Sequence, residues 1–125
     1  MYPFQKLKVW HAAHAFALEC YARARVIDDR ALRWQLQRAA QSIPANLVEG
    51  ASSHSQAEFA RYLGIAIASA QETKYHLLFS RDAELLDAAC YDELYGKLDQ
   101  VLAQLGRLTQ AVRRNVKAQN GPSRK

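Results

Sequence analysis

The chain has 125 residues, half of them hydrophobic, with five glycines and three prolines. That length buries one core, and the composition is too apolar for a disordered segment. The longest stretch without charge or strong polarity, around residues 63–70, is far short of the roughly 20 residues of a membrane-spanning helix.

The formal net charge of +5 is unevenly distributed. Residues 1–48 hold seven Lys/Arg and three acids, residues 49–99 four bases and nine acids, and residues 100–125 six bases and no acid. If the first and last segments lie side by side they form one basic surface, which attracts phosphate backbones without reading their sequence. The alternative is pairing of basic with acidic segments, within the bundle or between subunits. The opening Met1-Tyr2-Pro3-Phe4-Gln5-Lys6 has no apolar run of the secretory kind. The expectation is therefore a cytoplasmic protein in which Cys20 and Cys90 are reduced, buried thiols.

The first helix is expected over residues 9–25, with Trp10, Ala13, Ala17, Tyr21 and Ala24 recurring at three and four. Val26-Ile27-Asp28-Asp29 connects it to the second, with Asp28 or Asp29 as the cap. The second helix runs over residues 30–49 on an apolar stripe of Leu32, Leu36, Ala40, Ile43 and Leu47, and Gly50 is expected to stop it. Pro44 costs a backbone bond to Ala40 and is expected to bend this helix there. Arg38, Ser42, Asn46 and Glu49 follow one another at four, four and three, so they share one face. Such a row reads either as a solvated face or as groups that bond to something specific.

Ser55-Gln56-Ala57-Glu58 is a capping box opening a third helix over residues 56–81. Around residues 62–68 this helix is apolar on more than one side, which calls for cover on more than one face and points to an oligomer. Ser69, Glu72 and His76 continue at three and four. Facing the second-helix row, they make a partly buried network of Arg38, Ser42, Asn46, Glu49, Ser69 and Glu72, with Arg38 paired to Glu49 or Glu72. The fourth helix is expected over residues 88–117, capped by Asp87, with Leu94, Leu98, Val101, Leu105, Leu108, Val112 and Val116 as its seam. There is no strand signal. The expected architecture is all-α, an antiparallel up-down-up-down four-helix bundle over residues 1–118 with a disordered basic tail at 119–125, assembling as a ring.

Motifs for chemistry are missing. No Glu-x-x-His occurs, no carboxylate stands at helical spacing beside His11 and His14, and there is no Walker loop, GxGxxG or nucleophile elbow. The expectation is a protein that is not an enzyme and holds no cofactor or metal.

The polar row carries a resemblance. Gln35, Leu36, Arg38, Ala39, Ser42, Ile43, Asn46, Glu49 and Gly50, continued by Glu58, Phe59, Leu63, Ser69 and Glu72, resemble in order and spacing a bacterial four-helix-bundle family. Its members were first described as encoded in intervening sequences of 23S ribosomal RNA genes. The opening Phe4-Gln5-Lys6-Leu7-Lys8-Val9-Trp10 is similar too, so the likeness spans residues 4–116. The chain departs from the pattern at Ser53-His54, where a basic residue is common, at Ala68, where Gly is usual, and at Leu47-Val48. The resemblance implies an antiparallel bundle assembling as homopentamers. Related accessory proteins of retroelements bind nucleic acid and a reverse transcriptase through basic surfaces, an analogy at the level of fold.

The first functional expectation is binding of structured RNA or DNA through Arg23, Arg25, Arg30 and Arg33 near the first connection and Arg107, Arg113, Arg114 and Lys117 on the fourth helix. The alternative is an adaptor or scaffold for a nucleic-acid enzyme such as a reverse transcriptase. Trp10, Trp34 and Tyr62 are read as core or interface residues.

Overall fold

The computed structural model describes residues 1–120. Four helices account for most of them: α1 (Lys8–Arg23), α2 (Arg30–Ala51), α3 (Gln56–Asp82) and α4 (Ala88–Gln119). A single 3-10 turn, Pro3–Lys6, precedes α1, and another, Ala24–Val26, follows it. There is no strand among the described residues. Of the expected tail, Gln119 still belongs to α4 and residues 121–125 lie outside the described residues.

Three helix starts are set by local chemistry. Asp29 accepts from the Leu32 amide at 3.0 Å, Ser55 from the Glu58 amide at 3.1 Å and Asp87 from the Cys90 amide at 2.7 Å. Each satisfies an amide that has no partner within its helix. The helix ends are less regular. α3 leaves through Ala83 into Glu84, whose φ of 63° is left-handed. The amides of Leu85 and Leu86 turn back onto the Ser80 carbonyl at 2.9 and 3.1 Å.

Each helix packs on its chain neighbours, α4 closes against α1, and no close backbone approach crosses the diagonals α1–α3 or α2–α4 among the described residues. Across α3 and α4, Gln56 meets Asn115, Lys74 meets Asp99 and Arg81 lies over Tyr91. Across α1 and α4, Glu19 meets Lys97 and Arg23 meets Glu93. In both pairs of helices one sequence number falls as the other rises.

The core is a layer of Leu36, Ile43, Leu47, Leu63, Leu77, Leu94, Leu98 and Leu105, all fully buried. The stripe expected on α2 is the buried one. Along α1 and the turn after it the buried residues are Val9, Ala13, Phe16, Ala17, Cys20 and Ala24. Of the expected stripe, Ala13, Ala17 and Ala24 are buried, Trp10 is half-buried and Tyr21 faces outward, because alanines on either side of the stripe are equally compatible with burial. On α3 the buried row is Leu63, Ala66, Ala70, Thr73, Leu77 and Ser80. Its Thr73 and Ser80 hydroxyls donate to the carbonyls of Ser69 (2.8 Å) and His76 (2.7 Å), and Thr109 on α4 does the same to Leu105. Buried hydroxyls thus keep partners without a second helix.

α2 carries the buried Pro44 within its span. The end of the helix corrects the expectation. Gly50 does not stop it: the helix continues to Ala51 and Gly50 has no positive φ. The residue is instead buried where α2 meets α3. A Cβ there would lie 2.9 Å from Phe59 Cδ1 and 3.0 Å from Tyr62 Cβ. Glycine is present for closeness of approach.

Candidate nucleic-acid interface

The eight bases expected to form one surface fall into two groups. Arg23, Arg25, Arg30 and Arg33 lie where α1 leads into α2, beside the start of α4. Arg107, Arg113, Arg114 and Lys117 lie toward the far end of α4. Glu93, which contacts Arg23, precedes Arg113 by 20 residues, or about 30 Å along a helix at 1.5 Å per residue.

The first group is largely engaged. The Arg23 guanidinium donates to Glu93 at 2.7 Å and lies 3.8 Å from Glu19. This bond raises the Arg23 pKa further and holds the Glu93 carboxyl below its usual range. Because the carboxyl is the lowered partner, the stabilisation is present above the ordinary carboxylate pKa and is lost as pH falls through the lowered value. Arg33 donates to the Ile27 carbonyl at 3.0 Å, and Arg25 lies 5.6 Å from the centre of the Tyr21 ring. Arg30 borders a shallow surface concavity with Trp34, Arg33 and Gln37. Trp34 is 59% exposed, so it is not a core residue.

The second group gains members. The turn Pro3–Lys6 is tied down by the Tyr2 amide donating to Gln5 Oε1 at 2.8 Å and by Phe4 packing 4.7 Å from Trp10. Residues 6–9 share a surface concavity with Gln104, Arg107 and Leu108 of α4, so Lys6, Lys8 and Arg107 border the same space. Neither residues 1–18 nor residues 100–120 contain Asp or Glu. Lys6, Lys8, Arg107, Arg113, Arg114 and Lys117 are all exposed, and none is in an ion pair among the described residues. Lys6 and Lys8 are not among the residues singled out from sequence. The available signal was the acid-free run at residues 1–18, but only packing shows which end of α4 it joins.

The polar network is smaller than expected. Ser42 Oγ and Ser69 Oγ are 2.8 Å apart, joining α2 to α3, and Asn46 Nδ2 donates to the Ser42 carbonyl (2.8 Å) and hydroxyl (3.0 Å). Arg38 does not pair with Glu49 or Glu72. It is exposed and lies 5.3 Å from the centre of the Trp34 ring, while Glu72 contacts His76 at 3.1 Å. Leaving a guanidinium at the surface avoids desolvating it, which is why the buried pairing does not form. Asn46→Ala is expected to lower unfolding stability by about 1–2 kcal/mol, since a half-buried carbonyl and hydroxyl lose a donor. Exposed Gln41→Ala serves as a reference within about 0.5 kcal/mol. Equal urea midpoints for the two would show that the bonds contribute nothing.

The cysteines are both buried and free, and burial pushes the Cys20 thiol up to about 12. No group of three or more His, Cys, Asp or Glu is placed to hold a metal ion among the described residues. No helix among them is long and apolar enough to cross a membrane.

Four packed helices with a cationic end and a short inter-helix polar cluster define a small all-helical protein. The chain belongs to the family of 23S rRNA-intervening sequence proteins, whose model matches residues 5–107. It is also similar to the crystal structure of a protein of unknown function from the S23 ribosomal protein family of Bacteroides thetaiotaomicron VPI-5482. That similarity has a TM-score of 0.77 at 23% identity, covering 82% of this chain and 95% of that one, and shows a shared fold. Comparison with curated proteins finds no match.

Proposed function

We propose that this chain is a non-enzymatic, cytoplasmic up-down-up-down bundle that assembles as a homopentameric ring and binds structured RNA or DNA through its cationic end. The observation that carries the binding reading is the pair of acid-free segments that meet at one end of the bundle. Six exposed cations from the α1 start and the α4 end stand together there with no carboxylate on either segment. Electrostatic contact with phosphates needs such a surface, and five copies on a ring multiply its avidity.

The ring reading rests on α3. Ile65, Ala68, Glu72, Tyr75 and Phe79 recur at three and four along its outer side, and all are exposed. Tyr75 is 59% and Phe79 47% accessible, which is unusual for aromatic residues on one helix face. A ring needs two different surfaces to meet. The other apolar surface carries Leu18, Tyr21 and Trp34 on α1 and α2. Arg38 beside Trp34 and Glu72 within the α3 strip then bring opposite charges to the two faces.

The test is titration of nuclease-treated protein with a structured ribosomal RNA fragment and a matched duplex DNA, from about 50 to 200 mM salt. The expected result is binding with a steep salt slope. Arg113→Glu with Arg114→Glu is expected to weaken it while leaving the assembly mass unchanged. Absence of binding at the lowest salt would overturn the nucleic-acid reading and favour the adaptor. Binding that survives the charge reversal would place the contact elsewhere.

A further inference from the structure

The cationic end contains a cavity of about 360 Å³ lined by Lys6, Leu7, Lys8 and Val9 on one side and Gln104, Arg107 and Leu108 of α4 on the other. We propose that this cleft is a seat for a single phosphate group, which the three cations contact from two sides. The inference rests on the nucleic-acid reading for its first ligand, a backbone phosphodiester. A free phosphate is the other source of the same chemistry.

Three observations converge. The charged side chains of the lining are Lys6, Lys8 and Arg107, which come from separate segments and carry no carboxylate among them. No ion pair or hydrogen bond among the described residues occupies any of their charged groups. Leu7, Val9 and Leu108 form an aliphatic wall between the charged groups, so the polar lining that could bind a ligand is confined to the three cations and Gln104. The guanidinium suits a phosphate because it can offer two parallel N–H donors, while the two ammonium groups act as point charges. Glu49 and Glu58, the carboxylates at this end of the bundle, belong to α2 and α3 and line no part of the cleft.

The arrangement also differs in kind from the cations farther along α4. Arg113, Arg114 and Lys117 are exposed on a single helix and border no part of this cavity. They add field without a seat. Removing the seat should therefore subtract one defined phosphate contact, whereas removing the others weakens binding more diffusely.

The experiment has two arms. In the first, RNA hairpin affinity is measured against salt for the wild-type chain, for Lys6→Ala with Lys8→Ala and Arg107→Ala, and for Arg107→Lys. The triple variant is expected to bind roughly tenfold more weakly at 100 mM salt, with the slope of log K against log salt smaller by about 1. Arg107→Lys, which keeps the charge, should retain most of that slope. In the second arm, inorganic phosphate is titrated into the wild-type chain while amide shifts are followed by NMR. Shifts confined to residues 6–9 and 104–108 are expected, and they should vanish in the triple variant. All three side chains are exposed, so thermal unfolding should be unchanged and a folding defect is readily recognised.

Wild-type RNA binding with an unaltered slope in the triple variant would overturn the seat and leave the general nucleic-acid reading standing. Failure of the wild-type chain to bind RNA, with phosphate shifts present, would overturn that reading and assign the cleft to a free phosphate. Absence of both RNA binding and phosphate shifts would overturn the proposal outright.

Discussion

Gly50→Val is expected to destabilise the fold by about 1–3 kcal/mol, the usual cost of forcing extra carbon into a packed contact. The new Cβ would meet Phe59 Cδ1 at 2.9 Å and Tyr62 Cβ at 3.0 Å. The Phe59 ring can rotate away, but Tyr62 Cβ is carried by the α3 backbone, so α2 and α3 must separate. That separation falls at the turn end of the pair that also carries the Ser42–Ser69 bond. Melting temperature should fall by roughly 3–5 °C for each kcal/mol lost, between the values for smaller and larger domains. Gly96→Ala supplies the opposite sign. Nothing lies within 4 Å of a Cβ at Gly96, so replacing a mid-helix glycine should stabilise by about 0.4–1 kcal/mol through the unfolded chain. Thermal unfolding of the two variants checks both. A Gly50→Val protein as stable as the wild type would mean that the α2–α3 crossing is not held at its observed spacing.

If the chain forms the proposed ring, Tyr75→Glu combined with Phe79→Glu is expected to leave it as monomers. The rings are about half exposed in the single chain, with centroids 6.2 Å apart. Aromatic anchors at protein interfaces contribute about 2 kcal/mol or more each, and losing two weakens each contact about a thousandfold. Two carboxylates placed there also resist desolvation. Light scattering should then read the 14.1 kDa of one chain in place of about 70 kDa for five. The monomer itself should unfold as before, because neither side chain belongs to the core. An unchanged assembly mass would move the subunit contact off α3, and a wild-type chain of 14.1 kDa would remove the ring.

The four helices, their starts and most of their buried seams follow from local rules. Asp29, Ser55 and Asp87 cap helices because a side-chain oxygen reaches an amide three residues on. The α2 stripe from Leu32 to Leu47 is buried because one face of the helix holds all its large aliphatic residues. On α1 the same reasoning finds Ala13, Ala17 and Ala24 but misses Val9, Phe16 and Cys20, since alanine-rich flanks leave the direction of the face ambiguous.

The make-up of the cationic surface depends on more than periodicity. A sequence shows that residues 1–18 and 100–120 lack acids, but a 32-residue helix spans about 48 Å, so sharing it does not make bases neighbours. Packing of α1 against α4 sends Arg23 to Glu93 and brings Lys6 and Lys8 to Arg107. Packing of α2 against α3 leaves Arg38 outside, on Trp34, and draws only Ser42, Asn46 and Ser69 together. Helical periodicity says which residues share a face. Where that face points, and how far along the axis its neighbours lie, is decided by the burial of all four helices together.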